Sequence, residues 1–146
     1  MRLFETNIRL QPDKKHKGMI DSLVNRNPKK PKDILEKPFS RNVDIWFFAF
    51  CLALKKGLEP IEVQSSKNYN LTADASVIST EVQAFMAITA IQISDDVDII
   101  KDPNKMLKIC NNYAAAGFSL LEREINDSGG KDNLEIVNEL SKDIIS

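Results

Sequence analysis

One histidine and two cysteines are all the His and Cys zinc ligands this 146-residue sequence contains. With no Cys-x-x-Cys pair and a lone histidine, a structural zinc set is excluded. Five glycines and six prolines are too few for an all-β fold built on tight turns. The greasiest run, Ile45 to Leu54, is ten residues, far short of the ~20 a spanning helix requires. The first ten residues, MRLFETNIRL, have no long apolar stretch and no small-residue cleavage site, which excludes a signal peptide. No repeat is visible, and no Gly-rich phosphate loop: DSGGKDN has neither the spacing nor the preceding strand of a nucleotide site. Together these absences point to a single helical domain over residues 1–146 in a reducing cytoplasm, with no membrane and no cofactor.

The charge that is present is unevenly placed. Residues 1–60 carry 13 Lys/Arg against 7 Asp/Glu, and residues 61–146 carry 7 against 14, for a net charge of −1. A basic front half suits phosphates, or an acidic partner that includes the acidic half of a second copy. Lys14, Lys15, Lys17, Lys29, Lys30, Lys32, Lys37 and Arg41 flank two expected helix starts, where backbone N–H groups and cations together favour phosphate. The competing reading is a solubilising face.

Period and punctuation outline about five helices. LFETNIRL alternates Phe4, Thr6, Ile8 and Leu10 as a short strand or ribbon. KHKGMIDSLVNR places Met19, Ile20, Leu23 and Val24 at helical spacing, and a Pro/Lys loop, NPKKPKD, follows. Residues 41–56 form a helix that is apolar nearly all round. Ser40 or Asn42 is its expected cap, Lys55 and Lys56 suit its negative end, and Gly57 closes it. Its aromatic residues Trp46, Phe47 and Phe50 are expected to be buried in the fold or at a self-interface. Ile61 and Val63 suggest a short edge strand beside Pro60. The next helix, STEVQAFMAITAIQI, takes Thr80 and Gln83 as a capping box and Val82, Phe85, Met86 and Ile93 as its buried face. Asp102 and Pro103 open a long helix in which Gly117 marks the close approach of another helix, and Gly129-Gly130 ends it. Asp132 with Glu135 opens the last.

Catalytic signatures are missing. His16 lies in a lysine-rich turn, with no Ser or Cys partner implied, and reads as solvated. SDDVD offers Asp95, Asp96 and Asp98, but lacks the Gly and distal Glu of a calcium loop and reads as a helix-capping run. Cys51 and Cys110 sit in apolar helical patterns as small buried hydrophobes.

The segments KPFSRNVDIWFFAFCLALKKGLEPIEV and KICNNYAAAGFSLLEREI, with an acidic connector between them, resemble the Dnd system-associated protein 4 family. These are small proteins encoded beside bacterial DNA phosphorothioation and its linked restriction genes. The resemblance covers about residues 14–128 and rests on order and spacing. A fainter likeness, FAFCLAL followed by EP, is to the small helical DNA-sulfur-modification protein DndE, a family similar in layout to ribbon-helix-helix DNA binders. Here a long Pro/Lys loop separates the first two helices, which a compact ribbon-helix-helix unit does not have. The resemblance implies a non-enzymatic accessory role in a phosphorothioation-type anti-phage defence system and supplies no catalytic residues. The leading expectation is contact with the DNA backbone through Lys14, Lys15, Lys17, Lys29, Lys30, Lys32 and Arg41. The alternative is an adaptor that binds other proteins of the system and never touches DNA. A homodimer is expected, because an all-round apolar helix has more greasy surface than one small chain can cover.

Overall fold

The computed structural model describes residues 10–25, 34–71 and 78–145. Among them are five α-helices: α1 (Lys17–Leu23), α2 (Asn42–Lys56), α3 (Thr80–Ser94), α4 (Pro103–Asn126) and α5 (Asn133–Ile145). Short 3-10 turns cover Lys14–His16, Ser65–Lys67 and Val97–Lys101. The described residues hold no sheet, only two isolated bridges, Asp13 with Asn68 and Val24 with Phe39. The expected strand over Phe4, Thr6 and Ile8 lies outside the described residues.

The core is the α2–α4 pair. Trp46 and Phe50 are fully buried and stack with ring centroids 5.4 Å apart. Trp46 Nε1 donates to Asn111 Oδ1 at 2.8 Å, so the one polar atom of the indole is satisfied where water cannot reach it. Gly117 on α4 lets the helices touch. A Cβ built there runs into the backbone carbonyl of Ala49 on α2, the close approach expected of this glycine. Phe47 is only partly buried and leans on Phe50, 6.4 Å between centroids.

Helix ends follow local chemistry, with three corrections. Gly57 closes α2 in the left-handed conformation (φ 63°), and Leu58 N–H reaches back to the Ala53 carbonyl at 2.9 Å, as a Schellman end requires. The N-terminus of α2 is capped by neither Ser40 nor Asn42: Arg41 is the cap residue and makes no side-chain cap bond. Asn42 instead donates to the Leu71 carbonyl, because a cross-chain acceptor draws its amide away from its own helix. For α3 the cap is Ser79, whose hydroxyl accepts from Val82 N–H, one residue before the expected Thr80. Gln83 turns back to the Ile78 carbonyl rather than completing a capping box. Asp102 and Asp132 cap α4 and α5 as expected, accepting from Lys105 and Glu135 N–H. Helix α4 ends at Asn126, before Gly129 and Gly130, which lie in the following turn with positive φ.

The segment around Ile61 and Val63 is not a strand. Ile61 N–H donates to the Asn112 carbonyl on α4 and Val63 N–H approaches the Asn112 side chain. The extended chain is strapped to a helix, so its backbone needs no neighbouring strand.

Candidate functional site

Of the lysines and the arginine expected to contact DNA, Lys14, Lys15, Lys17 and Arg41 fall among the described residues, and two of these four are tied up in ion pairs. Lys14 and Lys15 are exposed on the 3-10 turn that Asp13 opens by accepting Lys15 N–H. Lys17 pairs with Asp21 at 2.7 Å and stands 6.0 Å from the Tyr69 ring centroid. Arg41 forks onto Asp44, Nε at 3.3 Å and Nη2 at 3.0 Å. That bond strengthens its hold on the proton. Both cations are therefore partly neutralised by a carboxylate one turn along the same helix. Lys29, Lys30 and Lys32 lie outside the described residues. Lys14 and Lys15 are the only two of the seven that the described residues leave side by side without an ion pair.

Beside them lies a feature the sequence hid. His16 is 2% exposed, not solvated. Its Nδ1 meets Glu122 Oε2 at 2.7 Å and its ring stacks on Phe118 at 5.7 Å. Phe118 and Glu122 are one turn apart on α4, so a single helical face supplies both the apolar wall and the carboxylate. The local sequence is polar because the pocket belongs to α4, more than a hundred residues away, and no periodicity in the lysine-rich turn could show it. An open cleft at this place is lined by Lys15, His16, Ser119, Glu122, Arg123, Asn126 and Asp127. Two cations and two carboxylates share it, so a phosphate entering would meet both signs.

A second concavity is of a different kind. It runs between the end of α2 and the outer face of α3, about 640 Å³, with Ala53, Leu54, Gly57 and Leu58 on one side and Phe85, Ile88, Thr89 and Ile93 on the other. Among the described residues, Glu59 is the only charged side chain lining it. Phe85 is 42% exposed, Ile88 57% and Ile93 42%. This corrects the expected α3 face: Met86 is buried, but Phe85 and Ile93 are largely turned to the surface. The buried residues of the helix are Gln83, Met86, Ala87, Thr89 and Ala90. From Val82 to Ser94 the helix has no charge at all, so spacing alone could not select the inward side. The lack of charge was itself the available signal, since an apolar perimeter on a peripheral helix leaves an apolar surface.

Phe85 is held in place rather than swinging free. Its ring meets Phe47 and Phe50 edge-on, centroids 6.0 and 5.8 Å away. Core aromatics thus present one face of Phe85 outward, and little side-chain entropy remains to be lost on contact.

The acidic run at the end of α3 caps helices. Asp95 adopts the left-handed conformation, Asp96 accepts Asp98 N–H at 3.0 Å, and Asp98 pairs with Lys101. No cluster of three His, Cys, Asp or Glu side chains able to hold a metal occurs among the described residues. Cys51 and Cys110 are free thiols; burial pushes them up to about 11 and about 12, far from nucleophilic at neutral pH.

Compared with known families, residues 9–144 match the model of the DNA sulphur modification system-associated protein 4 family. The chain belongs to that family. The match extends beyond the 14–128 region that carried the resemblance and takes in α5. No curated relative and no solved structure matches. Membership associates the chain with a DNA sulphur modification system. No helix among the described residues is long and apolar enough to cross a membrane.

Proposed function

We propose that this protein is a non-enzymatic accessory adaptor of a DNA sulphur modification system, and that it works by docking another protein of that system in the α2–α3 groove. The observation that carries the reading is the preorganised apolar surface of Phe85, Ile88 and Ile93 in a family named for its association with the system. Contiguous apolar surface of this kind on a small protein is characteristic of interaction sites. The experiment is co-expression of the full chain with the other protein components of such a system, followed by size exclusion and sedimentation. Co-elution with at least one component is the expected result; elution alone in every pairing at micromolar concentration contradicts the adaptor.

A second reading is kept because Lys14 and Lys15 are exposed with no carboxylate partner among the described residues, and Lys15 shares the His16 cleft with Arg123. These three would contact DNA phosphates without reading bases. Glu122 and Asp127 in the same cleft oppose a polyanion, which is why the adaptor is preferred. Fluorescence anisotropy on a duplex at low salt tests this reading: no binding at tens of micromolar protein removes it.

The case for a homodimer rested on the apolar perimeter of α2. That perimeter is mostly covered within the chain, with Val43, Ile45, Trp46, Ala49, Phe50, Leu52 and Ala53 all buried. Self-association is therefore not needed to shield α2.

A further inference from the structure

We infer that the occupant of the α2–α3 groove is an amphipathic helix of another protein, carrying apolar side chains at i, i+3 or i+4, and i+7 and a Lys or Arg placed against Glu59. This rests on the adaptor reading and specifies what the docked segment is made of.

Length comes first. From Phe85 to Ile93 the outer face of α3 runs eight residue steps, about 12 Å of rise. That is about two helical turns, the distance over which a partner helix repeats its anchors.

Backbone chemistry then selects the partner's conformation. The walls are helices and a Schellman turn whose own groups are used. Thr89 Oγ1 donates to the Phe85 carbonyl, and the Gly57 and Leu58 N–H groups donate to the Leu54 and Ala53 carbonyls. Glu59, Gln92 and Tyr113 supply the other polar side chains of the lining. An extended peptide laid here would strand most of its N–H and C=O groups against apolar walls, at a cost no apolar contact recovers. A helix satisfies its backbone internally and presents only side chains.

Charge selects its flanks and argues against a second copy. Glu59 lines the groove, Glu81 stands in the first turn of α3, and Asp95 and Asp96 follow its last turn. Among the described residues none of the four makes an ion pair and no Lys or Arg lines the groove. Two copies joined symmetrically across α3 meet acid with acid in either direction: antiparallel helices set Glu81 beside Asp95 and Asp96, and parallel helices set each acid beside its own twin. A basic-flanked helix meets the same charges with attraction, which favours encounter and rejects wrong partners.

The test uses the full chain, isotopically labelled, and overlapping synthetic 20-residue peptides covering the protein components of the system. Chemical-shift perturbation locates the site, and transferred nuclear Overhauser effects report the bound peptide's conformation. The peptides that bind are expected to be helical, apolar at the stated spacing and basic, and to perturb Leu54, Leu58, Phe85, Ile88 and Ile93. Ile88→Arg, a change at an exposed position that the fold tolerates, is expected to weaken them at least ten-fold, and Glu59→Lys several-fold. Binders that are extended or acidic, or that perturb another surface, overturn the inference. If no peptide binds while a full-length component does, the inference falls and the adaptor stands. If no full-length component binds, both fall. Self-association of the chain that Ile88→Arg abolishes would put a second copy in the groove and overturn it as well.

Discussion

At the scale of the residue, the buried Trp46–Asn111 hydrogen bond and the Gly117–Ala49 contact make the sharpest demands. Trp46→Phe keeps most of the ring but leaves Asn111 Oδ1 without the donor it now has. Stranding a buried acceptor costs about 1–3 kcal/mol, to be read as a lowered urea midpoint. Adding Asn111→Leu removes the stranded group, so the double variant is expected to lose less than the sum of the two singles. Gly117→Ala drives a methyl into the Ala49 backbone, and backbone cannot swing aside. The cost is expected at or beyond the top of the ~1–3 kcal/mol typical of overpacking, measured by thermal unfolding. The thiols give a chemical counterpart. Cys51 is raised to about 11 and Cys110 to about 12 by burial. Because the folded values are raised, the neutral thiol is the form that folding favours. Their contribution is complete below the ordinary thiol range and is lost as pH rises through these values. Ellman's reagent at pH 8 is accordingly expected to label neither cysteine rapidly in the folded chain and both in denaturant.

Among the helices, legibility divides by what each end or face contacts. Caps whose chemistry is local were readable: Gly57, Asp102 and Asp132 do what their positions imply. Gly57→Ala forces a Cβ into φ 63° and is expected to cost ~1–2 kcal/mol, while Ser79→Ala removes a cap worth ~1 kcal/mol; denaturant titration reads both. Ends whose side chains are claimed from a distance were not readable. Asn42 serves the Leu71 carbonyl rather than its own helix, and Gln83 serves Ile78. Faces divide in the same way. Helix α4 carries polar residues on one side and apolar ones at helical spacing on the other, so its period marks the side that is buried. Helix α3 is apolar around its circumference, so its inward side is set by where α4 and the aromatic pair Phe47 and Phe50 happen to lie. The candidate site was hidden for that reason: half of its lining is the outward side of a helix that the sequence presents as all inward. His16 was misread for a related reason, since the wall that buries it is supplied by Phe118 and Glu122 of α4.

For the molecule as a whole, the charge asymmetry of the sequence is partly offset among the described residues by local ion pairs. Lys17 and Arg41 are paired with Asp21 and Asp44, which leaves Lys14 and Lys15 exposed on one turn at a corner where Lys15 shares a cleft with Arg123. If that corner takes phosphates, the log–log salt slope is bounded at about −3, from −0.9 per phosphate for three contacts. Replacing all three with Glu is then expected to abolish duplex binding whatever the sequence. The apolar groove lies on different elements, the end of α2 and the outer face of α3, so the two surfaces can be disabled independently. The most direct test is calorimetric titration of a full-length component of the sulphur modification system into three forms of the chain: unaltered, Ile88→Arg, and the Lys14→Glu/Lys15→Glu/Arg123→Glu triple variant. The account predicts that Ile88→Arg weakens the complex at least ten-fold and that the triple variant stays within about two-fold of the unaltered chain, with all three melting alike. A complex that survives Ile88→Arg and is lost in the triple variant would contradict it.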